Sequence, residues 1–90
     1  MSETENIHVG YISEYQRNKT TISVLGKDYH VSPTKEESRF LEDIMYDAQL
    51  NYIIFDIANQ RIITYDILQP VGDREIAKNM YIAFVRVFTG

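Results

Sequence analysis

Apolar and polar positions alternate at the start of the chain. Ile7, Val9, Tyr11, Ser13 and Tyr15 interleave with His8, Gly10, Ile12 and Glu14, a period of two that predicts a strand with one mostly apolar face. Residues 16–19 read as the turn that follows. Residues 21–25 and 28–31 flank Gly26 and Lys27, and glycine at the first central position suits a two-residue type II′ hairpin turn. That turn sets Val24 opposite Tyr29, Ile22 opposite Val31 and Ser23 opposite His30.

The period then lengthens. Ser32-Pro33 predicts a helix start, because serine caps free amides, proline tolerates the first helical position, and Glu36 and Glu37 suit the positive end of the dipole. Thr34 with Glu37 forms a competing capping box. From either start, Phe40, Leu41, Ile44, Met45 and Ala48 share one arc of the wheel, and Glu36, Glu42, Asp43 and Asp47 lie on its flanks and outer side. The helix is expected to end near residues 49–51.

Residues 51–68 predict a second hairpin, because two runs rich in Ile, Tyr and Phe surround Asn59-Gln60-Arg61. A three-residue loop keeps apolar residues facing one another, with Ile53, Phe55 and Ile57 opposite Ile67, Tyr65 and Ile63. After Pro70 and Gly72 the pattern supports two readings. Ile76, Met80, Ala83, Phe84 and Val87 form a helical stripe after a plausible Asp73 cap. Yet 81–88 is rich in strand formers, and a helix would expose Ile82 and Val85, which favours a short helical turn followed by a buried terminal strand.

The expected fold is therefore α+β. It is a small antiparallel sheet or partly open barrel in the order βββαββ, followed by a C-terminal strand or helix. Its 90 residues suit one domain spanning 1–90, with 1–6 as a flexible tail. The order of elements, with Gly10 inside a long first strand, resembles the OB-fold arrangement. Lys27-Asp28-Tyr29-His30-Val31 is also similar to the third strand of cold-shock domains. The aromatic stretches of that family are absent from Thr21-Ile22-Ser23-Val24-Leu25, so no family is assigned and no residue role is carried over.

Composition narrows the chemistry. With no cysteine, disulfides, thiolate metal sites and cysteine nucleophiles are excluded. A net charge of −4 opposes long-range attraction to nucleic acid or an anionic membrane. The chain also lacks an apolar run of membrane-spanning length and a secretory pattern at its start, so a cytoplasmic setting is the expectation. Acid is concentrated in 34–50, where five carboxylates face two basic residues.

Three arrangements are candidates for chemistry. Ser23, His30 and Asp28 would share the outer side of the first hairpin, but no oxyanion hole or nucleophile elbow accompanies them. Asp56 and Asp66 would lie on one face of the second hairpin, about 7 Å apart, without a third oxygen ligand at diagnostic spacing. His8 and His30 are too few for a zinc site, and the isolated glycines form no phosphate loop. No catalytic residue, metal site or cofactor is assigned.

Tyrosine is the unusual component, seven without a tryptophan. Tyr11, Tyr29 and Tyr65 fall on expected core faces, leaving Tyr15, Tyr46, Tyr52 and Tyr81 as candidates for contact with a partner. The leading expectation is a non-enzymatic interaction module, a regulator or inhibitor that binds a protein partner through Glu36, Asp43, Asp47 and Tyr46. The alternative is an OB-like binder of single-stranded nucleic acid using Tyr15, Arg17, Lys19, Lys27 and Tyr52, a reading the net charge disfavours.

Overall fold

The computed structural model describes residues 7–65 and 73–89. Strands β1 (Ile7–Gln16), β2 (Lys19–Val24) and β3 (Lys27–Val31) come first. Helix α1 (Lys35–Glu42) follows and continues into a π-helical turn, Asp43–Asp47. Then come β4 (Tyr52–Asp56), β5 (Arg61–Ile63) and helix α2 (Arg74–Thr89). The strands form one antiparallel sheet in the order β3-β2-β1-β4-β5. It curls into a half-barrel, the partly open OB-like α+β arrangement that the order of elements predicts.

The length of β1 makes this topology possible. Its first half pairs with β4, Ile7 opposite Asp56 through Tyr11 opposite Tyr52. From Tyr11 onward it pairs with β2, and a bulge at Ser13 shifts the register between Ile12 and Glu14. Such a bulge bends its strand and increases the local twist. Gly10 has a different role: a Cβ there would lie 2.6 Å from Ile22 Cγ2 and 2.8 Å from Val24 Cγ2. Only glycine lets β2's side chains cross β1 at that point.

Register places Gly10, Ile12, Ile22, Val24, Tyr29, Ile53, Phe55 and Ile62 on one face, and all are buried. Burying each large aliphatic or aromatic side chain contributes on the order of 2 kcal/mol. Phe40, Leu41 and Ile44 join this core from α1 and its extension, and Ala77, Tyr81 and Val85 join it from α2.

Both hairpins differ in register from the sequence expectation. In the first, Val24 faces Lys27, Ile22 faces Tyr29 and Ser23 faces Asp28. The turn residues are Leu25 and Gly26, with φ values of 51° and 82°, both in the left-handed region as a type I′ turn requires. The predicted register slides by two residues, which leaves every side chain on its expected face. Alternation has a period of two and does not distinguish these alternatives.

In the second hairpin Phe55 faces Ile62 and Asp56 faces Arg61, so residues 57–60 form a four-residue loop in place of three. Ile53, Ile54 and Phe55 are all buried, so β4 has no polar face to fix parity. The loop is set by local hydrogen bonds, with Asp56 accepting from the Asn59 amide at 3.3 Å and from its side chain at 2.7 Å. The expected partner Ile67 lies outside the described residues.

Helix α1 begins at the second of its two expected starts. Thr34 Oγ1 accepts the Glu37 amide proton at 3.1 Å, and Glu37 accepts the Thr34 amide proton at 2.8 Å. This satisfies two backbone donors reciprocally. Past the π-helical turn, Gln49 adopts φ 53° and the Leu50 amide donates to the Ile44 carbonyl at 3.0 Å, ending the helix.

The predicted terminal strand is overturned. Residues 74–89 are helical throughout, capped by Asp73, whose Oδ1 accepts from the Glu75 and Ile76 amides at 2.9 and 3.2 Å. Ile82 and Val85 are not exposed as a helix was expected to leave them: Val85 is buried and Ile82 packs against the core.

Candidate functional site

The acidic positions expected to meet a partner separate into two groups. Lys78, on the buried side of α2, donates to Asp43 Oδ1 at 3.2 Å and to Asp47 Oδ2 at 2.5 Å. Asp43 also accepts from the Tyr65 hydroxyl at 3.0 Å. These carboxylates therefore bind α2 to the π-helical turn. The Asp47 hydrogen bond, opposed by burial and reinforced by Asp43, raises the Lys78 ammonium above its ordinary pKa. Burial, with the Asp43 carboxylate beside it, pushes the Tyr65 phenol up. Glu36 and Tyr46 stay exposed, Tyr46 to 69%.

The residues of the nucleic-acid alternative are dispersed. The Tyr15 hydroxyl donates to Glu42, which also lies 3.5 Å from the Arg17 guanidinium. Burial and the same Glu42 raise the Tyr15 pKa. Lys19 opens β2 and Lys27 opens β3, placing them about 17 Å apart at opposite ends of one hairpin. The Lys27 ammonium sits 5.2 Å from the centre of the Tyr29 ring. Tyr52 packs against Tyr11 with the rings tilted, centroids 5.3 Å apart.

The tyrosine assignments change at two positions. Tyr11, expected in the core, is exposed, and Tyr81, kept as a contact candidate, is fully buried. Tyr11 falls opposite Ser23 on the outer sheet face. Tyr81 lies on the buried side of α2 with Ala77 and Val85, outside the apolar stripe that the helical pattern predicts as the inward face.

The serine–histidine arrangement is dissolved by the register. His30 faces Thr21, and its Nδ1 lies 3.1 Å from the Thr21 hydroxyl, while Ser23 faces Asp28. Asp56 serves the β4–β5 loop, and Asp66 lies outside the described residues. Among the described residues no group of three or more His, Asp or Glu is placed to hold a metal ion. No helix among them is long and apolar enough to cross a membrane. A cleft of about 370 Å³ opens between the end of β3 and the start of β5, lined by His30, Val31, Glu37, Gln60, Arg61 and Ile62.

Among the described residues, five of the eight exposed large apolar side chains lie on α2, which has three sides. Ala77, Lys78, Tyr81 and Val85 turn inward. Glu75, Asn79 and Arg86 form an exposed polar strip. Between these lies the stripe of Ile76, Met80, Ala83, Phe84 and Val87, continued by Phe88, exposed along its whole length. Phe84 and Phe88 rest on each other with centroids 5.0 Å apart. Val87 is 78% exposed and Phe88 65%.

The sequence pattern offers this stripe as the face of a helix, but favours a strand over 81–88. It did not show that the core takes the neighbouring face. Lys78 concealed that outcome, because a lysine normally marks a solvent side, and its two carboxylate partners lie more than thirty residues away.

Comparison with known protein families, with curated proteins and with solved structures finds no match.

Proposed function

We propose that the protein is a non-enzymatic interaction module, a regulator or inhibitor acting by occupancy, that docks a protein partner on the outward face of α2. The exposed stripe from Ile76 to Phe88 carries this reading. Its five large apolar side chains are about half exposed or more, leaving on the order of 500 Å² of apolar surface in one patch, near the largest that a solitary soluble domain leaves uncovered. Tyr46 and Glu36 add exposed aromatic and acidic contacts elsewhere on the surface. Asp43 and Asp47 serve the docking face indirectly, by fixing α2 through Lys78. A cytoplasmic setting belongs to the same reading.

The test compares proteins retained from native extract by the immobilised wild-type chain and by Val87→Glu, with circular dichroism and melting matched. Proteins retained by the first and lost by the second support the reading. Identical sets count against it, as does an empty set in both from a chain that is also monomeric.

A second reading, binding of single-stranded nucleic acid, draws on the OB-like topology and on the outward Tyr11–Tyr52 ring pair. Fluorescence polarisation with short DNA and RNA at low salt tests it. Absence of binding at tens of micromolar removes it.

A further inference from the structure

Resting on the reading of α2 as a docking face, we infer that the occupant is a second copy of this chain, with the two α2 helices packed antiparallel about a two-fold axis between Met80 and Ala83. The spacing of the stripe is the first reason. Ile76, Met80, Ala83 and Val87 succeed one another at intervals of four, three and four, the rhythm of a helix seam that meets another helix. On the wheel, this seam lies well away from the buried Lys78 and Val85, so a second helix can reach it without disturbing the core.

Side-chain size selects the direction. An antiparallel pair sets Met80 opposite the partner copy's Ala83, large against small, and Ile76 opposite Val87. A parallel pair would oppose Ala83 to Ala83 and leave a gap beside Phe84. Interdigitation of large and small residues is what close helix packing needs.

Charge selects the same direction. Glu75 and Arg86 occupy opposite ends of the exposed polar strip, with Asn79 between them. Antiparallel packing brings each Glu75 towards the other copy's Arg86, twice by symmetry. Parallel packing about a two-fold axis would carry the two polar strips to opposite sides of the pair, where neither charge meets its complement. The opposed helix dipoles favour the antiparallel pair as well.

Area is sufficient. Covering the whole apolar patch on each copy, Phe84 and Phe88 as well as the seam, removes on the order of 1,000 Å² in total, the lower bound for a specific interface. A 16-residue helix about 24 Å long has room for this contact. A two-fold contact is also self-complementary and closes on itself.

Sedimentation equilibrium of the full chain from micromolar to millimolar concentration tests the inference. The expected result is a concentration-dependent rise from monomer to dimer mass and no further. Val87→Glu and, independently, Ala83→Glu are expected to abolish the dimer while circular dichroism and melting stay native. Glu75→Arg and Arg86→Glu are each expected to weaken it, and the two together to restore it.

A chain that stays monomeric throughout, or a dimer that persists in both seam variants, overturns the inference. So does a double charge swap that fails to restore pairing. A monomeric wild type whose extract partners are lost by Val87→Glu overturns self-pairing but leaves the docking face standing. A monomer with no such partners overturns both.

Discussion

The Tyr81 hydroxyl takes the Ile54 amide proton at 2.7 Å and gives its own to the Ile63 carbonyl at 2.6 Å. Ile54 and Ile63 face each other across β4 and β5, so a side chain from α2 completes a rung of the sheet. The same ring packs edge-on against Phe40 and Tyr65, with centroids 5.3 and 5.4 Å away. Helix and sheet are thus joined by bonding as well as by burial.

Tyr81→Phe keeps the ring but leaves a buried amide and a half-buried carbonyl without their shared partner. A loss of about 2 kcal/mol is expected, measured by urea unfolding. A loss below about 0.5 kcal/mol would show that the two strands bond directly once the hydroxyl is gone.

Alkaline pH should unfold the protein. Lys78, Tyr65 and Tyr81 all have pKa values raised in the fold, Lys78 mainly by its bond to Asp47 and the tyrosines mainly by burial. A raised value means that the fold favours the protonated form. That stabilisation is complete below the unfolded values, 10.0 for tyrosine and 10.5 for lysine, and is lost as pH rises towards the folded ones. Melting temperature should fall from about pH 10 upward, and less steeply in Tyr65→Phe. Equal slopes would remove Tyr65 from the effect.

Gly10→Ala is expected to destabilise by about 2 kcal/mol through overpacking, since the new methyl would meet Ile22 and Val24. Combining it with Val24→Ala should cost less than the sum of the single changes. Strict additivity in a double-mutant cycle would mean that the strands separate instead.

Leu25 offers the opposite sign. It is 78% exposed and holds φ 51° at the hairpin tip, a conformation that costs a branched residue about 1 kcal/mol or more. Leu25→Asn should therefore raise stability by about 1 kcal/mol. Unchanged thermal melting would show that the turn readjusts around leucine.

The elements that could be read from the sequence are those whose cues are local. Alternation locates β1 but misplaces its inward face, which is that of Gly10 and Ile12 and not that of Val9 and Tyr11, and the Thr34–Glu37 box is one of the two expected starts of α1. Registers were less legible, because sliding the first hairpin by two residues preserves its faces and β4 is apolar on both sides. The stretch 74–89 is the least legible. Strand-forming residues at 81–88 favoured a strand, whereas Tyr81 and Val85 have the core to pack against and Asp73 caps the helix. Of the expected site, exposure at Glu36 and Tyr46 was legible. The engagement of Asp43 and Asp47 by Lys78 was not, since it depends on tertiary contact.

The sheet remains open between β3 and β5, and an open sheet is a hazard, because any free edge can template another strand without limit. Here one edge is only three residues long, and the other carries Lys27, Asp28 and His30. Short and charged edges discourage that growth. The molecule thus keeps its stickiest surface on a helix, where contact can saturate, and away from the strands, where it would propagate into fibres.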